Sequence, residues 1–132
     1  MRRISEIVGL ENIIQVGIRS GTKEEFNIMK ENNTLVKNLS DFKILLNKLG
    51  NRPVFLTIDL DVLDPSLMKG TGTPEPGGFS FDESISYIKE LQDVKIVGAD
   101  VVELSPDYDN SGVSTVTAAK VIREVLLLNR ND

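Results

Sequence analysis

The sequence has 132 residues, 40% hydrophobic and 27% charged, enough for one domain that buries a core without cross-links. Its 15 basic and 20 acidic residues leave a formal net charge of −5, which argues against general binding to nucleic acid or an anionic membrane. With no cysteine and no histidine, the chain can supply no disulfide, thiolate nucleophile, Ser-His-Asp machinery or imidazole metal ligand.

In chain order, residues 2–9 suit a short helical turn. The apolar run Ile13–Ile18 predicts a short buried strand ending at Arg19-Ser20-Gly21. Thr22 with Glu25 three residues on predicts a capping box and a helix to about residue 31. Asn32-Asn33 breaks it, and Thr34–Val36 reads as a minimal strand. Ser40 or Asp41 is expected to cap a second helix, with Phe42, Leu45, Leu46 and Leu49 at helical spacing and Gly50 as its stop. Pro53–Asp59 is the clearest strand, a near-continuous apolar run of the kind found in central parallel strands. Residues 60–79, rich in glycine and proline, predict a long loop, and such loops are usually functional. Ser80 should cap a helix to about Leu91. A further strand is expected in the second half of Val94–Leu104. After a loop over 105–112, a last helix runs from Gly112 to about Leu128, with Val113, Val116, Ala119, Ile122, Val125 and Leu126 on its apolar side. Alternating strands and helices imply an α/β domain with a mostly parallel sheet flanked by helices. Arg2-Arg3 is not followed by a signal-like apolar stretch, and no run is long enough to span a bilayer. The cytoplasm is the expected compartment, with no membrane and no nucleic-acid partner.

Asp59 and Asp61 close the central strand. Alternate side chains of a strand share a face, so these carboxylates are expected to point the same way, at the carboxyl end where open α/β sheets bind ligands. Two close carboxylates favour a divalent cation between them, and oxygen donors suit magnesium, calcium or manganese. The plainer alternative has Asp61 capping a turn and Asp59 paired with an arginine. Gly70–Gly78 lacks the Gly-Lys-Ser/Thr ending of a phosphate loop, which weakens a magnesium-dependent phosphotransferase reading. Asp64-Pro65 reads as a turn device. Glu75 is either a rim residue or simply solvated. Arg19 could touch a ligand, a neighbouring subunit or a structural carboxylate. Tyr108 and Asp109 could meet substrate or pack the last loop. Glu103, taken alone, reads as a surface ion pair.

The stretch Asp59-Leu60-Asp61-Val62-Leu63-Asp64-Pro65 followed by Gly70-Thr71-Gly72-Thr73-Pro74 resembles the ureohydrolase family of arginases and agmatinases. Gln15-Val16-Gly17-Ile18-Arg19 looks like the preceding strand segment. Asp100–Gly112, with Glu103-Leu104-Ser105-Pro106, looks like the last-strand segment of the agmatinase branch, where arginases usually carry Asn-Pro in place of Ser105-Pro106. Lys69 stands where the family usually has proline, and Thr57 where serine is commoner.

The resemblance implies the C-terminal half of the arginase-like three-layer fold, as one domain over residues 1–132 with the family's N-terminal half absent. It also implies hydrolysis of a guanidinium compound, most simply agmatine to putrescine and urea, at two manganese ions. Asp59 would match the aspartate that bridges the metals, Asp61 one that chelates a single metal, and Glu103 the carboxylate that holds the substrate guanidinium. The remaining metal ligands and the proton-shuttling histidine belong to the family's upstream half, so this chain supplies no catalytic histidine and an incomplete ligand set. A homo-oligomer or a complementary N-terminal half is the expected partner. The alternative to an active ureohydrolase segment is a truncated or split half that acts only with a partner chain.

Overall fold

A computed structural model describes residues 1–128; positions 129–132 of the expected domain lie outside the described residues. The elements are α1 (Arg2–Val8), α2 (Lys23–Glu31), α3 (Leu39–Leu49), β1 (Val54–Asp59), α4 (Phe81–Lys89), β2 (Ile96–Val102) and α5 (Val113–Leu127), with short 3-10 turns between some of them. β1 and β2 pair in parallel from Val54↔Ile96 to Asp59↔Val102, with one irregularity after Val54. The expected parallel sheet with flanking helices is therefore present, and no described helix is long and apolar enough to cross a membrane.

Caps set most helix starts. Thr22–Glu25 and Ser80–Glu83 both form complete capping boxes, each satisfying backbone donors that a helix start leaves orphaned. The expected cap of α3 at Ser40 or Asp41 is corrected: Asn38 is the N-cap and accepts from the Asp41 amide. Asparagine caps as well as serine or aspartate, so the choice among Asn38, Ser40 and Asp41 was open to local chemistry. α4 ends at Lys89, and a turn carries the chain through Leu91.

Residues 13–18 are not a strand. Only one parallel bridge forms, Gln15↔Leu35, with Gln15 N–H donating to the Thr34 carbonyl and Val36 N–H to the Gln15 carbonyl. A ladder needs a continuing neighbour, and Gly17 at φ 74 turns the chain away after one residue pair. The long loop is partly organised. Leu63 bridges Phe79, an approach that leaves no room for a side chain at Gly78, where a Cβ would fall 2.5 Å from the Asp64 nitrogen.

One core joins Leu60, Leu63, Met68, Ile88, Ala118 and Val121, with Ile58 and Val101 packed against it. A second joins Val36, Phe42 and Leu91, with Leu56 and Ile96 packed against it. Both lie on the same side of the sheet. On the other side Phe55 is 64% exposed, and Thr57 and Asp59 are exposed with it. Among the described residues, the sheet is covered on one face only.

The apolar side expected for α5 is also corrected. The helix buries Ser114, Ala118 and Val121, while Val113, Val116, Ile122 and Leu126 are exposed. The buried stripe contains a serine and small residues because α5 lies close to the 68–70 loop, where the Ser114 hydroxyl accepts a bond from the Gly70 amide.

Candidate metal and substrate site

β1 and β2 run side by side and end together, Asp59 opposite Val102, so Asp59 and the residue after β2, Glu103, emerge at one end of the sheet. That placement follows from a parallel pair in register. Asp61 arrives differently from the sequence expectation. The strand stops at Asp59, and Leu60–Val62 form a 3-10 turn whose N-cap is Asp59, its Oδ1 accepting the Asp61 amide at 3.1 Å. Asp61 thus shares the end of the strand through a turn rather than through pleat alternation.

The three carboxyls interact. Partial burial pushes the Asp59 carboxyl above its ordinary range; the Asp61 amide opposes this, and the charges of Asp61 and Glu103 add to the rise. Uncompensated negative charge is the condition a bound cation relieves, and carboxylate oxygens suit manganese. These residues fit as part of a manganese site. Among the described residues no group of three acidic side chains is gathered to hold an ion by itself.

Glu103 has φ 67, a left-handed conformation that costs a residue with a Cβ about 1–2 kcal/mol. Such strain persists where surrounding bonds over-determine the backbone. Two residues on, the Ser105 amide donates to the Gly70 carbonyl at 2.7 Å, and the Gly70 amide donates to Ser114 Oγ at 2.8 Å. Asp109 closes the arrangement. It is buried, accepts from the Ser111 amide and hydroxyl and from the Ser114 amide, and these bonds hold its carboxyl well below the usual range. Asp109 therefore packs the last loop, whereas Tyr108 is exposed.

Asp64 is a turn device, as expected. Its carboxylate accepts from the Ser66 and Gly77 amides, and these donors, Ser66 first, draw its pKa down to about 2. It thereby ties the two ends of the glycine-rich loop. Thr73 approaches Asp61 Oδ2 at 3.5 Å. Glu75 is exposed, and its carbonyl accepts from Arg19. Arg19 was open between a ligand, a subunit and a carboxylate; the structure gives it backbone carbonyls instead, a partnership that leaves no trace in residue types.

The arginase family matches residues 1–128. The chain is 44% identical to the agmatinase of Bacillus subtilis, covering 96% of this chain and 46% of that protein. A solved structure from Clostridium difficile, described as a candidate agmatinase, superposes with TM-score 0.88 at 48% identity over 96% of this chain and 48% of its own. The proclavaminate amidino hydrolase of Streptomyces clavuligerus superposes with TM-score 0.83 at 30% identity, over 96% and 46%. The chain spans about half the length of these relatives. On the family match and these identities, the chain belongs to the arginase family.

Proposed function

We propose that this chain carries part of an agmatinase-type ureohydrolase site: two manganese-ligating carboxylates, Asp59 and Asp61, and a guanidinium-binding carboxylate, Glu103. The substrate is agmatine. Water adds to the guanidinium carbon, the bond to the alkyl nitrogen breaks, and urea and putrescine leave. Manganese, when bound, supplies charge stabilisation and an activated water. Asp59 and Asp61 offer it hard oxygen donors. Glu103 pairs in two-point fashion with the planar guanidinium and orients it.

What supports this reading is the placement of Asp59 and Glu103 at one end of a parallel strand pair, with Asp61 on the turn that follows Asp59, where open α/β sheets take their ligands. The strained backbone at Glu103 supports it, because strain of this kind collects at functional positions. Since the chain spans about half of its relatives, the rest of the ligand set comes from further polypeptide, either covalently continuous or as a partner. A catalytic metal needs three or more protein ligands, so the 132-residue chain alone turns over little or no agmatine.

The test is complementation. The chain is co-expressed with the part of the B. subtilis agmatinase that it does not match, and urea release from agmatine is followed with manganese. Turnover by the pair and not by either piece is the expected result. A stable complex that takes up manganese and yet releases no urea would defeat the substrate assignment, and robust turnover by this chain alone would defeat the shared ligand set.

A further inference from the structure

We propose that Arg19 is a positioning residue that sets Asp61 by holding its backbone, an inference that rests on the reading of Asp61 as a metal ligand. The segment leading to it is anchored by the Gln15–Leu35 bridge. It then crosses Val62 at Gly17, where a Cβ would fall 2.4 Å from Val62 Cγ2. This crossing delivers the half-buried guanidinium to the place where the Asp61 turn meets the 70–78 loop. Nη2 donates to the Asp61 carbonyl at 2.6 Å and to the Glu75 carbonyl at 2.7 Å, Nε donates to the Glu75 carbonyl at 3.1 Å, and Nη1 lies 3.5 Å from the Val62 carbonyl. Among the described residues the ion pairs involve other cations and none involves Arg19.

Asp61 is thereby held at both main-chain groups, its amide by Asp59 Oδ1 and its carbonyl by Arg19. Its carboxylate is left with the long Thr73 contact, beside a cavity of about 250 Å³ that Arg19, Asp61, Thr73 and Glu75 help to line. The fork geometry matters because one planar group reaches carbonyls on two separate loops at once, which a lysine ammonium on a flexible stem does not reproduce.

The charge of Arg19 makes the proposal testable by sign. A cation beside a metal-binding carboxylate weakens metal binding by repulsion. Were Arg19 only a nearby charge, Arg19→Ala would tighten manganese binding and Arg19→Lys would leave it unchanged. A positioning role predicts the opposite: both variants weaken it, by roughly the tenfold typical when a residue that orients a metal ligand is lost.

The experiment uses the full chain as wild type, Arg19→Ala and Arg19→Lys. Free manganese is titrated by its electron paramagnetic resonance signal, and amide hydrogen exchange is read at Asp61, with Val101 in β2 as the control for global opening. The expected result is roughly tenfold weaker manganese binding in both variants and roughly tenfold faster exchange at Asp61, with Val101 unchanged. Tighter binding in Arg19→Ala, or Asp61 exchange at the wild-type rate in both variants, overturns the proposal. Should Arg19→Ala speed exchange at Val101 as well, Arg19→Lys decides. Should the wild-type chain take up no manganese, metal ligation by this chain alone fails, and the Asp61 exchange rates still decide whether Arg19 holds the turn.

Discussion

Asp59 and Glu103 carry the same charge but answer to different partners in the proposed site, so their amide variants fail in different ways. In the complemented enzyme, Asp59→Asn removes a metal-ligating oxygen, and manganese content falls together with rate. Glu103→Gln keeps its manganese and loses substrate binding and rate, because the guanidinium is left without its charge partner. Metal stoichiometry measured beside steady-state kinetics separates the two; an emptied metal site in Glu103→Gln with a full one in Asp59→Asn would reverse both assignments. The backbone of Glu103 adds a readout that needs no activity. At φ 67, glycine relieves the strain, so Glu103→Gly should raise the unfolding free energy of the chain by about 1 kcal/mol in urea denaturation; a loss of stability would show that contacts of the side chain outweigh the strain. Asp64 gives a pH test. Hydrogen bonds from Ser66 and Gly77 hold its folded pKa at about 2, below that of a free aspartate, so its contribution is fully present above the unfolded value and is lost as pH falls from about 4 through about 2. Stability measured against pH should show wild type above Asp64→Asn near neutrality, with the gap closing over that window. Asp59 and Asp61 stand out in the sequence by side-chain chemistry, whereas Glu103 taken alone reads as an ion pair and enters the proposed site only through the motif around it. The work of Arg19 was not legible there, since its acceptors are carbonyls that every residue carries.

At the scale of elements, legibility followed how local the deciding physics is. The capping boxes at Thr22 and Ser80 were readable because cap and partner lie three residues apart. The Ile13–Ile18 strand failed because a strand is completed by a neighbour, and Gln15 and Leu35 supply only one bridged pair. Helix α5 spans Val113–Leu127 as expected, but its expected apolar face failed in a more instructive way. Its larger apolar residues form a plausible stripe, but the helix turns toward the loop that Ser114 grips, and close approach selects Ala118 and Ser114 over the bulkier Val113 and Val116. Substitutions distinguish the two faces. Val121 is 1% exposed and Val116 72% exposed. Val121→Ala should cost about 2 kcal/mol in unfolding free energy through the cavity it leaves, while Val116→Ala should stay within about 0.5 kcal/mol. A larger loss for Val116→Ala than for Val121→Ala in chemical denaturation would mean that α5 packs with the other face inward.

For the whole molecule, the governing fact is a parallel strand pair packed on one side. Parallel sheets are normally buried on both faces, and a sheet of two strands leaves an unpaired row of backbone groups along each outer edge. Here Phe55 lies across Gly98 and is 64% exposed, and Val97 is 63% exposed. Apolar side chains in that position ordinarily find cover. A chain spanning about half of its relatives makes the rest of such a protein the natural cover, and the same polypeptide would bring the ligands that Asp59 and Asp61 lack. Without such cover, copies of the chain are expected to compete for the surface. The purified chain should therefore self-associate in sedimentation as concentration rises. Phe55→Asp, which places a charge on the open face without touching either core, should shift it toward monomer while leaving helical circular dichroism unchanged. Adding the complementing segment should compete with self-association in wild type and bind less well to Phe55→Asp, because one surface serves both contacts. A wild-type chain that stays monomeric at high concentration and binds the complementing segment as well as Phe55→Asp does would show that the open face is stable in water and that assembly uses some other part of the chain.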